Sequence, residues 1–363
     1  MKTLNLYVTR SFLVTFCMSI GILTFAMTGA RLVEILDLVA QGIPVSVFFT
    51  FVWYTLPIVL TFTVPWAALV AVMLVFGRLS ADSEITAMRA CGVSILQIVS
   101  PILLITFLLT LVCLYLQIEV GPPMLGRSRE LTSDTLIDQP MAMFKPGQQI
   151  RYSNYIIYVD NKTAEDEVTG IQIYVVDNPD DNVPPIDYSA ARAKLLVDRE
   201  REVMTVRMYD CLLMDKSTTP ETRMNCETME FEVNYGKERN STRILVRPKY
   251  MTLNELLARI KIEKQYNRDA TSMEIELNQR IAFALSPIAF LLLGLPLAIQ
   301  TSRRETAVGL FLSVLLAGFF FFAIILFESL DSYPKLYPQY LLWVPNLLYQ
   351  FGGAFMIYRI SQR

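Results

Sequence analysis

The chain has 363 residues, 53% of them hydrophobic and 18% charged, with a mean hydropathy of +0.40. That is more apolar side chain than a water-soluble domain hides, so the composition places the chain among membrane proteins, and a formal net charge of −2 leaves no electrostatic footprint for nucleic acid. The absence of histidine removes the usual general base, the commonest metal ligand and any His-based triad, and no G-x-x-x-x-G-K-S/T run cradles a phosphate.

Charge is segregated along the chain. Residues 119–280 carry 22 of the 32 Lys+Arg and 27 of the 34 Asp+Glu, which marks a water-exposed insert within a lipid-soluble body. A spanning helix needs about 20 apolar residues. Charge-free runs at 11–30, 43–77, 93–118, 281–302, 306–327 and 339–358 predict six transmembrane helices. The first run is longer than the apolar stretch of a cleaved leader, so it is read as an uncleaved span. The run at 43–77 has no polar turn and is read as one helix carrying Pro57 and Pro65. With the N-terminus inside, the inner side carries Lys2, Arg10, Arg78, Arg89, Arg303, Arg304, Arg359 and Arg363, against Arg31 and Lys335 outside. This asymmetry puts both termini in the cytoplasm and the insert outside it, as in a multi-pass membrane protein.

Between the second and third spans, residues 80–92 predict a short helix with Glu84, Met88 and Cys91 on one stripe. Ser80 or Asp82 can cap it and Gly92 can end it in the left-handed conformation. It is either an amphipathic connector or a lever seated in a cytoplasmic partner. Arg31, directly after the first span, is expected at the outer interface. There it can bind a lipid phosphate through two parallel bonds, or pair with Glu34 or Asp37.

In the insert the apolar period changes to two. Ile171, Ile173 and Val175 alternate with polar positions, as do Ala191, Ala193, Leu195 and Val197, and Met229, Phe231, Val233 and Tyr235. Turn clusters at 178–182 and 216–220 separate these strands, which suggests a sandwich, jelly roll or open barrel. The apolar face either closes as an ordinary core or stays open to an apolar ligand. Cys211 and Cys226 are the only cysteines of the insert and lie near facing ends of two expected strands, 203–212 and 227–235. In an oxidising compartment they are a disulfide candidate. Downstream, Thr252-Leu253-Asn254-Glu255 fits a capping box that opens a connecting amphipathic helix.

The stretch Ser83-Glu84-Ile85-Thr86-Ala87-Met88-Arg89-Ala90-Cys91-Gly92-Val93-Ser94 resembles the signature of the LptF/LptG (YjgP/YjgQ) permeases. These are the membrane subunits of the lipopolysaccharide-exporting ABC transporter of Gram-negative bacteria. The resemblance extends to Glu276-Leu277-Asn278-Gln279-Arg280, Pro287, Leu293-Gly294-Leu295-Pro296-Leu297 and the basic turn Ser302-Arg303-Arg304. It implies a membrane α-helical bundle of six transmembrane helices with an inserted periplasmic all-β jellyroll-like domain. The division would be 1–118 for spans one to three with a coupling helix at about 80–92, 119–250 for the jellyroll, 251–280 for the connecting helix and 281–363 for spans four to six.

The resemblance also implies partners: a cytoplasmic ABC ATPase dimer contacting Glu84, Ile85, Met88 and Arg89, a paralogous second permease, and periplasmic jellyroll bridge proteins. Lipopolysaccharide would meet Arg31 and an apolar face containing Ile171, Ile173, Val175 and Phe231. No enzymatic activity, cofactor, metal or nucleic acid is implied. The alternatives are an ABC-coupled mechanotransmitter or lipoprotein extractor, and a membrane receptor or scaffold with no ATPase.

Overall fold

In lipid a backbone must satisfy its own polar groups, and a continuous apolar run does so as a helix. A computed structural model describes residues 2–40, 44–138, 147, 149–152, 155–163, 167–175, 186–198, 203–215, 222–234, 247–301 and 306–362. By internal contacts the chain divides into one unit of residues 1–35, 49–128 and 247–363 and another of residues 36–48 and 129–246. The turn clusters at 178–182 and 216–220 and the basic turn at 302–304 lie outside the described residues.

The helices are α1 (Lys2–Ala40), α2 (Val45–Ala81), α3 (Glu84–Ala90), α4 (Ile95–Tyr115), α5 (Gly121–Asp138), α6 (Leu253–Gln265), α7 (Thr271–Thr301), α8 (Thr306–Glu328), α9 (Pro338–Leu341) and α10 (Val344–Gln362). Five stretches among the described residues are long and apolar enough to cross a membrane: Thr3–Val33, Val45–Ala81, Ile95–Thr132, Thr271–Gln300 and Val308–Ser332. The sixth expected span, 339–358, is instead the short α9 followed by α10. Asn346, Gln350, Arg359 and Gln362 keep α10 below that apolarity.

α2 runs unbroken through Pro57 and Pro65, so the second apolar run is one helix over Val45–Ala81. In α7, Pro287 removes the N–H that would bond the Phe283 carbonyl, and the Ser286 hydroxyl donates to that carbonyl at 2.5 Å instead. A π-helical turn, Leu116–Val120, joins α4 to α5 just before Pro122 and Pro123, which can donate no backbone bond. The insert therefore begins as helix, and its first described strand starts at Gln149.

The bundle packs through small residues and rings. A Cβ at Gly353 of α10 would fall on the backbone of Leu292 and Leu293 in α7, and one at Gly294 would sit 2.7 Å from a Leu69 methyl of α2. Phe290 and Phe320 meet edge to face at 4.8 Å, with Tyr349 against both. Asn346 Nδ2 donates to the Ala282 carbonyl at 2.8 Å and the Tyr349 hydroxyl to the Leu316 carbonyl at 2.8 Å, tying α10 to α7 and α8. The Thr252–Glu255 capping box forms at the start of α6, with bonds of 2.9 and 3.5 Å. After α6 the chain turns through left-handed Asn267 (φ 52°), and α7 starts at Thr271, ten residues before the expected span.

The second unit holds β1 (Gln149–Tyr152), β2 (Tyr155–Lys162), β3 (Glu167–Val175), β4 (Ile186–Asp198), β5 (Val203–Asp215) and β6 (Thr222–Asn234). They form one six-stranded sheet in sequence order, every neighbour antiparallel. The described strands are thus a meander and lack the crossover of a jelly roll. Alternation and turn spacing define strands but not their order, and short connections favour hairpins.

A crease crosses this sheet. On either side the pairing is regular, but the ladder skips one position on β2 through β6, in the row of Asp160, Gly170, Ala191, Asp210 and Glu227. Gly170 (φ 65°) and Asp210 (φ 54°) are left-handed there, and a Cβ at Gly170 would fall on the Asp160 carboxylate. The crease resets the alternation, so two neighbouring positions point the same way. Val168, Ile171 and Ile173 are buried on β3, Ala190, Ala193 and Leu195 on β4, and Val206, Met208 and Cys211 on β5. Ala191, expected inward, is exposed for this reason.

Candidate functional site

The end of the bundle between α2 and α4 presents α3. Ser80, expected to cap this helix, lies in the last turn of α2, where its hydroxyl donates to the Ile299 carbonyl of α7 at 2.8 Å. The residue before α3 is Ser83, left-handed at φ 59° with no side-chain cap, so the helix is shorter than 80–92. Its far end behaves as expected. Gly92 (φ 84°) donates to the Arg89 carbonyl and Val93 to the Met88 carbonyl, the paired bonds of a Schellman motif. Ser94 and Gln97 then close a reciprocal capping box that starts α4. α3 is therefore fixed directly to a membrane helix, with no slack segment between them.

The faces of α3 divide its residues. Ile85 is 4% exposed and Met88 packs on the bundle core, so both anchor the helix. Thr86, Ala87, Ala90 and Cys91 face outward, and Glu84 and Arg89 are half-buried at the margin. Glu84 Oε1 accepts a 3.3 Å bond from the Tyr7 hydroxyl of α1. A carboxylate held by one long bond is easily given up to a guanidinium or ammonium of a partner.

The other expected site is the apolar face of the sheet. Ile171 and Ile173 are fully buried in one cluster with Val206 and Met208, while Phe231 is half-buried and stacks at a tilt on Tyr188 at 5.4 Å. The face is closed in this structure. The Val175 side chain lies outside the described residues, as do those of Glu34 and Asp37, while Arg31 is exposed on α1. Cys211 and Cys226 are direct register partners with Sγ atoms 3.0 Å apart. They are thiols in contact, on the side of the buried cluster.

A polar network at the opposite end of α7 was not legible from the sequence. The chain leaving the β unit passes through Arg247–Met251, with a 3₁₀ turn at Pro248–Tyr250. Arg280, 3% exposed, donates to the Met251 carbonyl at 2.9 Å, the Pro248 carbonyl at 3.0 Å and the Lys249 carbonyl at 3.4 Å, and pairs with Glu276 at 2.8 Å. Glu328 of α8 accepts from Lys249 at 2.6 Å and from Gln279 at 2.8 Å. The hydrogen bond it donates to Glu328 holds the Lys249 ammonium above its ordinary pKa. Trp343 Nε1 donates to Asn278 Oδ1 at 3.0 Å. The motif Glu276–Arg280 was visible, but its partners lie decades of residues away.

Compared with known proteins, residues 6–359 match the family described as lipopolysaccharide export system permease LptF/LptG. No curated protein matches the chain. The matched span takes in both the helical bundle and the β unit, and on that evidence the chain belongs to the LptF/LptG family of lipopolysaccharide export permeases.

Proposed function

We propose that the chain is a membrane subunit of an ABC exporter that lifts lipopolysaccharide from the outer leaflet of the inner membrane and passes it to a periplasmic bridge. ATP is hydrolysed by a separate cytoplasmic ATPase dimer, and this chain does no enzymatic chemistry. The observation that carries this reading is α3. It is anchored by Ile85 and Met88, joined rigidly to α4, and offers the loosely held Glu84, with Arg89, at the margin of its outward face.

Six crossings follow in this reading because α10 runs beside a spanning helix. Asn346 meets Ala282 and Gly353 meets Leu292, so α10 advances along α7 in the same direction. Six crossings return the C-terminus to the cytoplasm with α3 and put the β unit in the periplasm. The windows of α1 and α8 are only 22% and 28% buried, against 72% for α2, which suits helices that meet lipid and a paralogous second permease.

The sheet is the lipid acceptor. Each methylene taken from water contributes about 0.8 kcal/mol, so acyl chains can replace the contacts of Ile171, Ile173 and Phe231 with little net change once the face opens. Truncating one member of a desolvated charge pair typically costs ~2–5 kcal/mol. Glu84→Ala should therefore insert normally and either lose the ATPase on purification or hydrolyse ATP without moving lipid. Wild-type complex yield together with wild-type transport would sink the coupling role.

A further inference from the structure

We propose that Arg280 and Glu276 are positioning residues of a joint that carries movement of the membrane helices into the β unit. The proposal rests on the transport reading above. Arg247–Met251 is the path by which the chain returns from the sheet to the bundle. A guanidinium presents five donors in a fixed fork. Arg280 spends them on three consecutive-region carbonyls, those of Pro248, Lys249 and Met251, and on the Glu276 carboxylate. Such a residue is not needed to start a helix, and an i,i+4 pair on an exposed surface would contribute little. Here both side chains are almost fully buried, at 3% and 13%, and the paired charge is aimed at the backbone of another segment.

A second link crosses the same segment. Glu328, at the last turn of α8, holds Lys249 with one oxygen and Gln279 of α7 with the other. One carboxylate thus ties α7, α8 and the returning chain. The outgoing chain meets them too: the Cβ position of Gly126 on α5 lies 3.8 Å from the Tyr250 Cβ. The outgoing connection therefore touches the returning one beside the carbonyls that Arg280 holds. Four charges, two of each sign, close the network and leave it neutral.

Lysine can keep the charge at 280 but has no fork with which to hold several carbonyls. Arg280→Lys is tested in the full chain, assembled with its second permease and ATPase in nanodiscs containing lipopolysaccharide. A photocrosslinking residue at Ile173 reports lipid arriving in the sheet. The expected result is ATP hydrolysis near the wild-type rate with lipid adduct down about fivefold or more, the loss that a broken coupling of sites produces.

Cβ atoms ~3.5–4.5 Å apart suit a disulfide. Gly126→Cys with Tyr250→Cys, added to the Arg280→Lys chain and oxidised, should restore the adduct, and reductant should abolish it again. An unchanged adduct in Arg280→Lys overturns the joint. So does loss of hydrolysis and adduct together, which makes Arg280 a support of the bundle, and so does failure of the covalent link to rescue. Absence of adduct in the unsubstituted chain contradicts the transport reading itself and takes the joint with it.

Discussion

Oxidation of Cys211 and Cys226 offers a quantitative test of the sheet. The two are register partners on β5 and β6, with Sγ atoms 3.0 Å apart, so a bridge needs no change of register. Burial, then the hydrogen bond to Cys226, pushes the Cys211 thiol up to about 11. At neutral pH only roughly one molecule in 10⁴ then carries the Cys211 thiolate, so reaction of this sulfur with a disulfide donor is slow. Two thiols lose two protons and two electrons, and the donor disulfide is reduced to two thiols. The positions are 15 residues apart, and closing a loop of that size restricts the unfolded chain by about 3 kcal/mol. That corresponds to a factor of roughly 100 in the opening equilibrium of the β5–β6 hairpin. Thiol labelling of unreduced membranes should leave both cysteines unmodified until reductant is added. Proteolysis of the insert should then accelerate by up to about 100-fold on reduction, if opening limits cleavage. Two thiols that label freely in the folded chain, or cleavage rates equal with and without reductant, would refute the reasoning.

Two further predictions concern packing and charge. Gly353→Ala drives a methyl into the Leu292 backbone, which cannot yield as a side chain can, and should destabilise the detergent-solubilised protein by ~1–3 kcal/mol. Gly352→Ala, with nothing within 4 Å of its Cβ, is the control, and equal melting of the two variants would contradict the close approach of α10 to α7. Arg31→Glu should lower lipid crosslinking at the outer mouth more than Arg31→Lys, since lysine keeps the attraction to phosphate. Wild-type behaviour of both variants would make Arg31 an ordinary interfacial residue.

Five of the six expected spans were legible because lipid imposes one rule on every apolar run, and α2 could be read as one helix despite two prolines. α10 is where the expected sixth span is not matched: Asn346, Gln350 and Arg359 hold it below the apolarity of the other five, and Asn346 is spent on the Ala282 carbonyl. Strand positions were legible from the two-residue period, and the burial of Ile171 and Ile173 follows it. The crease was not, because the left-handed turn at Asp210 is carried by a residue other than glycine and reverses the alternation without changing composition. At α3, the ending at Gly92 was legible from local helix chemistry and Glu84 was singled out by the family resemblance, whereas Ser83 rather than Ser80 precedes α3 because α2 runs one turn further. Lys249 and Glu328 were invisible for another reason. They are 79 residues apart and meet only because α7 and α8 fold back on the segment between the sheet and the bundle.

The most direct test of transport is the photocrosslinking residue at Ile173 in the assembled, otherwise unaltered complex, compared with and without ATP. Ile173 is fully buried in the apolar cluster, so lipid reaches it only if the sheet opens and accepts acyl chains. The account predicts a lipopolysaccharide adduct that accumulates with ATP hydrolysis and is absent when hydrolysis is blocked. Active hydrolysis with no lipid adduct at Ile173 would contradict it and favour a chain that transmits force without carrying lipid.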